Sequence, residues 1–341
     1  MIKKENNNWF KGIDSIRFIL AFIVMLSHSN FIYAATLKHS GILPIKILGL
    51  FLANAFDGTS AVIAFFIISG FVIHYPNRNG IRNVGEFWIR RLVRIFIPLF
   101  LVLIIGAFFD HPEKSVVWSI YCEIIYYVLY PLMAKISLSW KNKFIISFAI
   151  SIILIITLAN HDLVALIKQT NNNYHGYYWQ FGIGLTWIIG LPCWLLGVII
   201  AQNIDNLNAV NRNSVIFYRL LVFFISVFCC FGKFHLHISY IISMNFFALI
   251  QYKWIQKEII YYKNNQPIST FEKMGKFSYS LYLCHHSLFV ILGYYLVINN
   301  ITYPILILLT VGISFIFYLL VEKPSHLLAR TLSAKFLLYK K

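Results

Sequence analysis

Long apolar runs alternate with short polar breaks along the whole chain, and this pattern decides its class. A helix needs about 20 apolar residues to cross a bilayer, and most of these runs approach that length. The sequence therefore predicts an all-α, polytopic membrane protein with ten spans, at about residues 13–35, 48–75, 95–109, 116–136, 143–160, 181–201, 215–231, 234–250, 277–298 and 301–321. No internal repeat is visible and the polar breaks are too short to fold alone, so we expect one transmembrane domain over residues 1–341.

The composition agrees with a membrane protein and excludes several other classes. The chain is 59% hydrophobic and 12% charged, whereas a soluble domain is about 25% charged. All five cysteines lie within apolar runs, without the spacing of a metal site or a disulfide framework. The basic start "MIKKE" is typical of a signal peptide, but charged residues begin the first span and many spans follow. We therefore expect the first span to be retained and the protein to hold no metal.

The distribution of Lys and Arg predicts how the spans are oriented. With the N-terminus in the cytoplasm, the inner segments carry 22 of these residues and the outer segments carry 5. Since cytoplasmic loops are the ones enriched in positive charge, both termini are predicted to be cytoplasmic. The same asymmetry explains most of the net charge of +17, so no nucleic-acid partner is needed to account for it.

The first predicted span contains three polar residues that need an explanation, Asp14, Arg17 and His28. At 3.6 residues per turn, Arg17 and His28 lie on one helix face, about 16 Å apart along the axis. Asp14 is one turn from Arg17 and can pair with it. Ionisable residues within spans often mark functional sites. The alternatives are a snorkelling charge at Arg17 and an ordinary interhelical hydrogen bond at His28.

The fourth predicted span carries an acidic residue, Glu123. Counting from the outer boundary places Glu123 and His28 each about 10 Å deep, on different helices. A carboxylate beside an imidazole fixes its tautomer and raises its basicity, which predicts a general-base pair within the membrane. The alternative is that Glu123 hydrogen-bonds a tyrosine of the same span and only stabilises the bundle.

Two features near the predicted cytoplasmic side point to an anionic ligand. Arg91 and Arg94, or Arg90 and Arg94, share a helix face, and a pair of guanidinium groups suits phosphates. The alternative is an ordinary topology anchor. The pair Ser69-Gly70 in the second span permits a close helix approach or a local break.

The ninth and tenth spans carry further polar motifs. The segment "SYSLYLCHHS" places hydroxyl groups and an imidazole within the inner half of the bundle, at Ser278, Tyr279, Tyr282 and His285. The two adjacent histidines have no carboxylate or cysteine at ligand spacing, so a metal is not expected. The tenth span ends with Glu322 at the predicted cytoplasmic boundary.

Taken together, these motifs resemble acyltransferase family 3, whose members are integral-membrane enzymes that O-acylate surface glycans of bacteria. The matching patterns are R-x10-H (Arg17, His28) after Asp14, FF-x-x-SGF (Phe65, Phe66, Ser69, Gly70, Phe71), R-x-x-R (Arg91, Arg94), WS-x-x-x-E (Trp118, Ser119, Glu123), SY-x-LYL-x-H (Ser278, Tyr279, Leu281, Tyr282, Leu283, His285) and E-K-P (Glu322, Lys323, Pro324). They follow one another in order over almost the whole chain. The chain departs from the family at His286-Ser287, where Trp-Pro is usual, and in its short outer loop "DHPEKS".

The resemblance implies an O-acyltransferase of the bacterial inner membrane that uses acyl-CoA, usually acetyl-CoA, as a co-substrate and binds no permanent cofactor. The acceptor would be a hydroxyl of a surface or lipid-linked glycan. His28 would act as general base or carry the acyl group itself, with Glu123 orienting it and Arg17 assisting. The donor would bind to Arg91, Arg94, Ser69, Gly70, Tyr282 and His285, while Asp14, Trp118, Ser119 and Glu322 support the site.

Two alternatives stay open at this point. Tyr178 and Trp179 belong to an aromatic cluster in the outer loop before the sixth span, and such rings suit either a sugar acceptor or the interfacial aromatic belt. Instead of an enzyme, the chain could be a transporter or a flippase of a lipid-linked glycan, with Arg17, His28 and Glu123 lining a polar path.

Overall fold

The chain folds into a bundle of helices. The computed structural model describes residues 10–109, 114–158, 167–168, 178–235 and 240–338, and this part contains no β-strand. The α-helices with described bounds are α1 Ile13–His28, α2 Ile32–Lys38, α3 Leu43–Asn54, α4 Gly58–His74, α5 Val84–Phe108, α6 Lys114–Lys135, α7 Trp140–Leu158, α8 Gly182–Asn203, α9 Arg212–His235, α10 Tyr240–Asn264, α11 Ser269–Met274, α12 Ser278–Tyr295, α13 Thr302–Phe317 and α14 Lys323–Leu338.

The bundle has the apolar helices of a multi-pass membrane protein, but the predicted count of ten spans is not confirmed. In the described ranges, seven helical runs are long and apolar enough to cross a membrane. An eighth span results if α1 and α2, which are bent by 56° relative to each other, are counted as one. Helices α10 and α12 overlap the eighth and ninth predicted spans, but they are not among these seven runs. The orientation of the termini stays a prediction.

Several predicted span limits differ from the helices. The third span was predicted to begin at residue 95, whereas α5 begins at Val84, so the arginines at 90, 91 and 94 lie within the helix. The predicted tenth span does not end at Glu322, because a π-helical turn over Tyr318–Glu322 joins α13 to α14. Pro324, which has no backbone N–H to donate to the preceding turn, is the second residue of α14 and follows the π-helical turn directly.

Helices α4 and α8 are in very close contact, and two glycines explain this. A Cβ atom at Gly70 of α4 would lie 2.0 Å from the carbonyl oxygen of Trp194, and one at Gly197 of α8 would lie 1.8 Å from that of Ile67. Neither position has room for a side chain, so backbone packs directly on backbone. The sequence left two possibilities for Ser69-Gly70; the structure shows the close approach, and α4 continues through it without a break.

Helix α1 is fixed at its first turn by a side chain from α11. Glu272 accepts hydrogen bonds from the backbone N–H of Gly12 at 3.1 Å, from the N–H of Ser15 at 3.0 Å and from the hydroxyl of Ser15 at 2.6 Å. These bonds satisfy donors that the start of a helix leaves without partners, and the carboxylate also suits the positive end of the helix dipole. Since α1 carries Arg17 and His28 and packs against α4 and α12, this contact positions both residues.

Candidate active site

A cavity within the bundle gathers residues from five helices. It has about 940 Å³ of empty space, including the part that is open to its surroundings. Its wall contains Arg17 of α1, Ser69 of α4, Arg91 and Arg94 of α5, and Glu123 of α6. Other lining residues come from α12 and from the middle of α4 and α6, and include Phe65, Phe66, Ser119, Ser278, Tyr279 and Tyr282. We call it the arginine cavity; residues from five separate motifs of the sequence meet in it.

The arginines of this cavity differ in how far their charge is compensated. Arg17 has Asp14 at 3.5 Å, one helical turn away as the sequence predicted. Within the described residues, the half-buried side chains of Arg91 and Arg94 have neither a hydrogen-bond acceptor nor an ion-pair partner. By contrast, Arg90 pairs with Glu86 at 3.5 Å, is 49% exposed and does not line the cavity. The structure thus selects Arg91 and Arg94 from the two possible pairs as the cavity's cations.

Glu123 is held by hydroxyl groups. Ser69 Oγ donates a hydrogen bond to Glu123 Oε1 at 2.7 Å, and the Tyr127 hydroxyl donates a short one to the same oxygen. The indole N–H of Trp194 in turn lies 3.3 Å from Ser69 Oγ. With both donors on Oε1, the carboxylate is fixed in the cavity wall and Oε2 has capacity to accept from a ligand.

The end of the cavity opposite the arginines is formed around Tyr282 of α12. Its hydroxyl lies 2.6 Å from Ser119 Oγ and donates to the carbonyl oxygen of Val116 at 3.1 Å. The Tyr282 ring lies between the cavity and His285, with ring centroids 5.8 Å from Phe65 and 6.0 Å from His285. The cavity therefore stops about one helical turn short of the histidines.

Beyond Tyr282, two histidines from different helices form a pair. Nδ1 of His28 lies 3.2 Å from Nε2 of His285, and also 3.0 Å from the carbonyl oxygen of Val24. Nδ1 of His285 lies 2.7 Å from the carbonyl oxygen of Tyr282. His285 is completely buried and His28 is half-buried. Each imidazole is thus held by its own helix and by the other ring.

These contacts determine where the hydrogens of the neutral rings lie. A carbonyl oxygen can only accept, so Nδ1 of both histidines must carry a hydrogen. Nε2 of His285 then has none, and it accepts from Nδ1 of His28, which it faces. Nε2 of His28 consequently keeps its lone pair. This is the nitrogen that a general base or a nucleophile would use.

The predicted contact between His28 and Glu123 is wrong. On α12, Tyr282 lies one turn before His285. On α6, Ser119 is in contact with Tyr282, and Glu123 lies one further turn along the helix. Glu123 is therefore about 10 Å from the level of His28. The depth count failed because it assumed that α1 and α6 start from a common membrane boundary. His285, which the sequence predicted to bind the donor, lies beside His28 and does not line the arginine cavity.

Two other predicted site residues occupy places that differ from their predicted roles. Gly70 does not line the arginine cavity, because it is packed against α8. Tyr178 was a candidate for sugar binding or for the aromatic belt, but it is only 1% exposed and stacks on Trp118 at 5.2 Å between centroids. Trp118 was predicted to support the site, and its ring stacks on that of Tyr178. The side chain of Trp179 lies outside the described residues.

Glu322 supports the site by fixing the start of α12. This carboxylate, 1% exposed, accepts from the backbone N–H of Ser280 at 3.1 Å and from its hydroxyl at 2.6 Å. Its other oxygen lies 3.5 Å from Nε2 of His326. Since α12 carries both Tyr282 and His285, this bond positions the cavity end and the histidine pair together.

Two residues of the site were not singled out from the sequence, Tyr127 and Trp194. Tyr127 is four residues after Glu123, so helical spacing alone could have identified it as the tyrosine partner. Trp194 is on α8, and no local pattern relates it to Ser69.

The comparisons with known proteins agree with this arrangement. The fold and the site define a multi-pass membrane protein whose interior holds a cationic cavity and a histidine pair. A family model described as an acyltransferase domain matches residues 10–319, so the chain belongs to acyltransferase family 3. The predicted family is thereby confirmed, and the protein is a membrane acyltransferase. No curated protein and no solved structure matches the chain.

Proposed function

We propose that this protein transfers an acyl group, first of all acetyl, from cytoplasmic acyl-CoA to a hydroxyl of a surface or lipid-linked glycan. We place it in the inner membrane of a bacterium, with the arginine cavity open to the cytoplasm and His28 towards the outer face. Membership of acyltransferase family 3 supports the reaction class. The donor, the acceptor and the residue roles are the proposal.

The observation that carries the proposal is the pair of cations without partners in the arginine cavity. A guanidinium group inside a membrane protein is costly unless an anion compensates it. Arg91 and Arg94 line a cavity with Glu123 but form no ion pair in the described part of the chain, so a ligand with several phosphates would complete the site. Acyl-CoA carries such phosphates at one end and its thioester at the end of a thin arm, which fits a cavity lined by Arg91 and Arg94 and also by Glu123 and Tyr282.

Glu123 would then act on the donor and not on His28. The arm of coenzyme A contains two amide groups whose N–H bonds need acceptors inside a protein. Oε2 of Glu123 lies along the cavity between the arginines and Tyr282 and can accept one of them. The thioester would lie at the Tyr282 end of the cavity. The Tyr282 ring must then shift so that the carbonyl carbon of the thioester comes within reach of His28.

In the base-catalysed route, Nε2 of His28 removes the proton from the acceptor hydroxyl. The hydroxyl oxygen attacks the thioester carbonyl, the carbon–sulfur bond breaks, and the thiolate leaves with the proton that His28 returns. In the alternative route, Nε2 itself attacks the thioester carbonyl, the carbon–sulfur bond breaks, and the thiolate leaves an acyl-imidazolium on His28. The acceptor hydroxyl oxygen then attacks the acyl carbon, the carbon–nitrogen bond breaks to restore the neutral imidazole, and the hydroxyl proton passes to the thiolate. Both routes need the same lone pair, and the hydrogen bonds around Nδ1 keep it on Nε2.

The test is transfer of label from radioactive acetyl-CoA in membranes that contain the protein, with the membrane's own glycolipids as acceptors. We expect label that stays on the glycan after extraction and is released by mild base as acetate. The His28→Ala variant should abolish it, while Arg90→Ala, whose side chain lies outside the cavity, should not. A transporter or flippase would leave the glycan without covalent label, and that result would contradict the proposal.

A further inference from the structure

A second large groove lies on the other side of α1 from the arginine cavity. It runs between α1, α9 and α10, is closed at one end by α11, and contains about 1130 Å³ of empty space. Its wall is mainly aliphatic and aromatic, with Ile16, Ile19, Leu20, Ile23, Val222 and Phe223 along its length. Ile19 is 43% exposed and Phe223 is 38% exposed, so the groove opens sideways to the lipid. We call it the α1–α9 groove.

A charged group stands at one end of this apolar groove. Arg219 of α9 donates from Nε to Glu258 Oε1 at 2.6 Å and from Nη2 to Glu258 Oε2 at 2.8 Å. Nη2 also donates to the Tyr262 hydroxyl at 3.0 Å. The side chain is still 46% exposed, and in the described part of the chain Nη1 donates no hydrogen bond. Arg219 lines the groove, and the two N–H groups of Nη1 can donate to a ligand there.

The position of this guanidinium group along the membrane normal matches a lipid headgroup. Tyr262, its partner, is two residues before the end of α10, and its ring lies against Gly12, directly before α1. The group is thus at the end of the spans and not at their middle. On the other side of α11, a shallow pocket is lined by Lys11, Lys273 and Lys276, which add positive charge to this end. An anionic headgroup is favoured at such a boundary.

We propose that the α1–α9 groove binds one anionic phospholipid, with its phosphate on Nη1 of Arg219 and an acyl chain against Ile19 and Phe223. The amphipathic wall matches this ligand. A guanidinium group, largely compensated by Glu258, stands at one end, and the rest of the lining is mainly apolar, with Ser15, Asp57, Ser60, Ser226 and Gln251 as further polar residues. A lipid-linked glycan is a poorer fit. Its sugar would stay near Arg219, whereas His28 is at the far end of α1, beyond Ile19 by nine residues or about 14 Å.

The experiment uses the full-length protein, purified in detergent and stripped of lipid, and native mass spectrometry to follow binding of phosphatidylglycerol. Diacylglycerol with the same chains serves as the probe without a phosphate. We expect one phosphatidylglycerol to bind at least about tenfold more tightly than diacylglycerol, because only the phosphate accepts from Arg219. Equal binding of the two lipids would overturn the assignment.

Two variants locate the lipid within the groove. Ile19→Trp fills the apolar part without touching the ion pair and should weaken phosphatidylglycerol binding about tenfold or more. Its matched control is Ile153→Trp on α7, at a side chain that is 60% exposed away from the groove. The double variant Arg219→Met with Glu258→Gln removes both charges together and avoids a buried unpaired carboxylate. It should reduce phosphatidylglycerol binding to the level of diacylglycerol.

Several results would show that the α1–α9 groove is not the binding site of an anionic phospholipid. Unchanged phosphatidylglycerol binding in Ile19→Trp, or equal loss in the Ile153→Trp control, would overturn the proposal. So would tighter binding of a polyprenyl phosphate than of phosphatidylglycerol, since that would make the groove an acceptor site. None of these results depends on acyl transfer, so the site can fail while the proposed reaction holds.

Discussion

The two ends of the proposed reaction path are built in opposite ways. At the arginine end, Arg91 and Arg94 face empty space and have no partner in the described structure. At the histidine end, His28 and His285 already bond to each other and to backbone carbonyl groups. The first arrangement is complete only when an anion binds, and the second is preorganised without a ligand. Binding and chemistry should therefore respond to different substitutions.

The largest expected effect is at the histidine end. His28→Ala removes the Nε2 lone pair, so kcat for acetyl transfer should fall by about a thousandfold, the range of a lost general base. Donor binding should be unchanged, because His28 does not line the arginine cavity. Steady-state transfer of label and equilibrium binding of acetyl-CoA measure the two quantities. A variant that transfers at the wild-type rate would remove His28 from the mechanism.

His285 should have the next largest effect, and only through His28. The His285→Leu variant leaves Nδ1–H of His28 only the Val24 carbonyl oxygen as an acceptor and removes the contact that holds the ring from α12, so we expect kcat to fall about a hundredfold without a change in KM for the donor. His285→Gln offers an amide oxygen near the position of Nε2 and should recover most of the activity. If leucine and glutamine variants are equally impaired although both fold, His285 does not act by orienting His28.

At the arginine end, substitutions should change binding and leave chemistry nearly intact. Arg91→Ala or Arg94→Ala removes a charge-assisted hydrogen bond to a phosphate, worth about 1.5–3 kcal/mol, so KM for acetyl-CoA should rise at least about tenfold. Arg90→Ala is the matched control, since Arg90 is one residue away but pairs with Glu86. The salt dependence of donor binding should weaken in the two cavity variants alone. An equal response of all three arginines would make them topology anchors.

The sequence predicted this fold well at the level of class, whereas the roles of the site residues stay predictions. Long apolar runs reveal membrane helices because a helix satisfies its backbone hydrogen bonds within one segment inside a bilayer. Arg17, Arg91, Ser69 and Glu123 were selected from four separate motifs, and the structure brings them to one cavity. Local spacing also indicated the Asp14–Arg17 contact, which depends on one helix only.

What the sequence could not provide is the offset between helices. Depth counting paired His28 with Glu123, but tilt and staggered starts move α6 by about two turns relative to α1. His285 was in a recognised motif, yet nothing local shows that it meets His28. Gly70 was similarly ambiguous: its motif allows donor contact or packing, and only the backbone of α8 decides for packing.

Glu123 gives the sharpest test of this corrected geometry, although its expected effect is the smallest. As a partner of His28, it would be needed for kcat, and Glu123→Gln would reduce kcat by about a hundredfold or more. At the arginine end, the amide oxygen of glutamine can still accept from Ser69 and Tyr127, but the NH2 group that replaces Oε2 cannot accept from an amide N–H of the donor. We therefore expect a rise of a few-fold in KM for acetyl-CoA, about 1 kcal/mol or less, with kcat preserved.

Tyr127→Phe, which removes one of the two donors that hold the carboxylate, should shift KM in the same direction. A collapse of kcat with unchanged KM in Glu123→Gln would instead mean that α1 and α6 slide past one another during the reaction and bring Glu123 to His28.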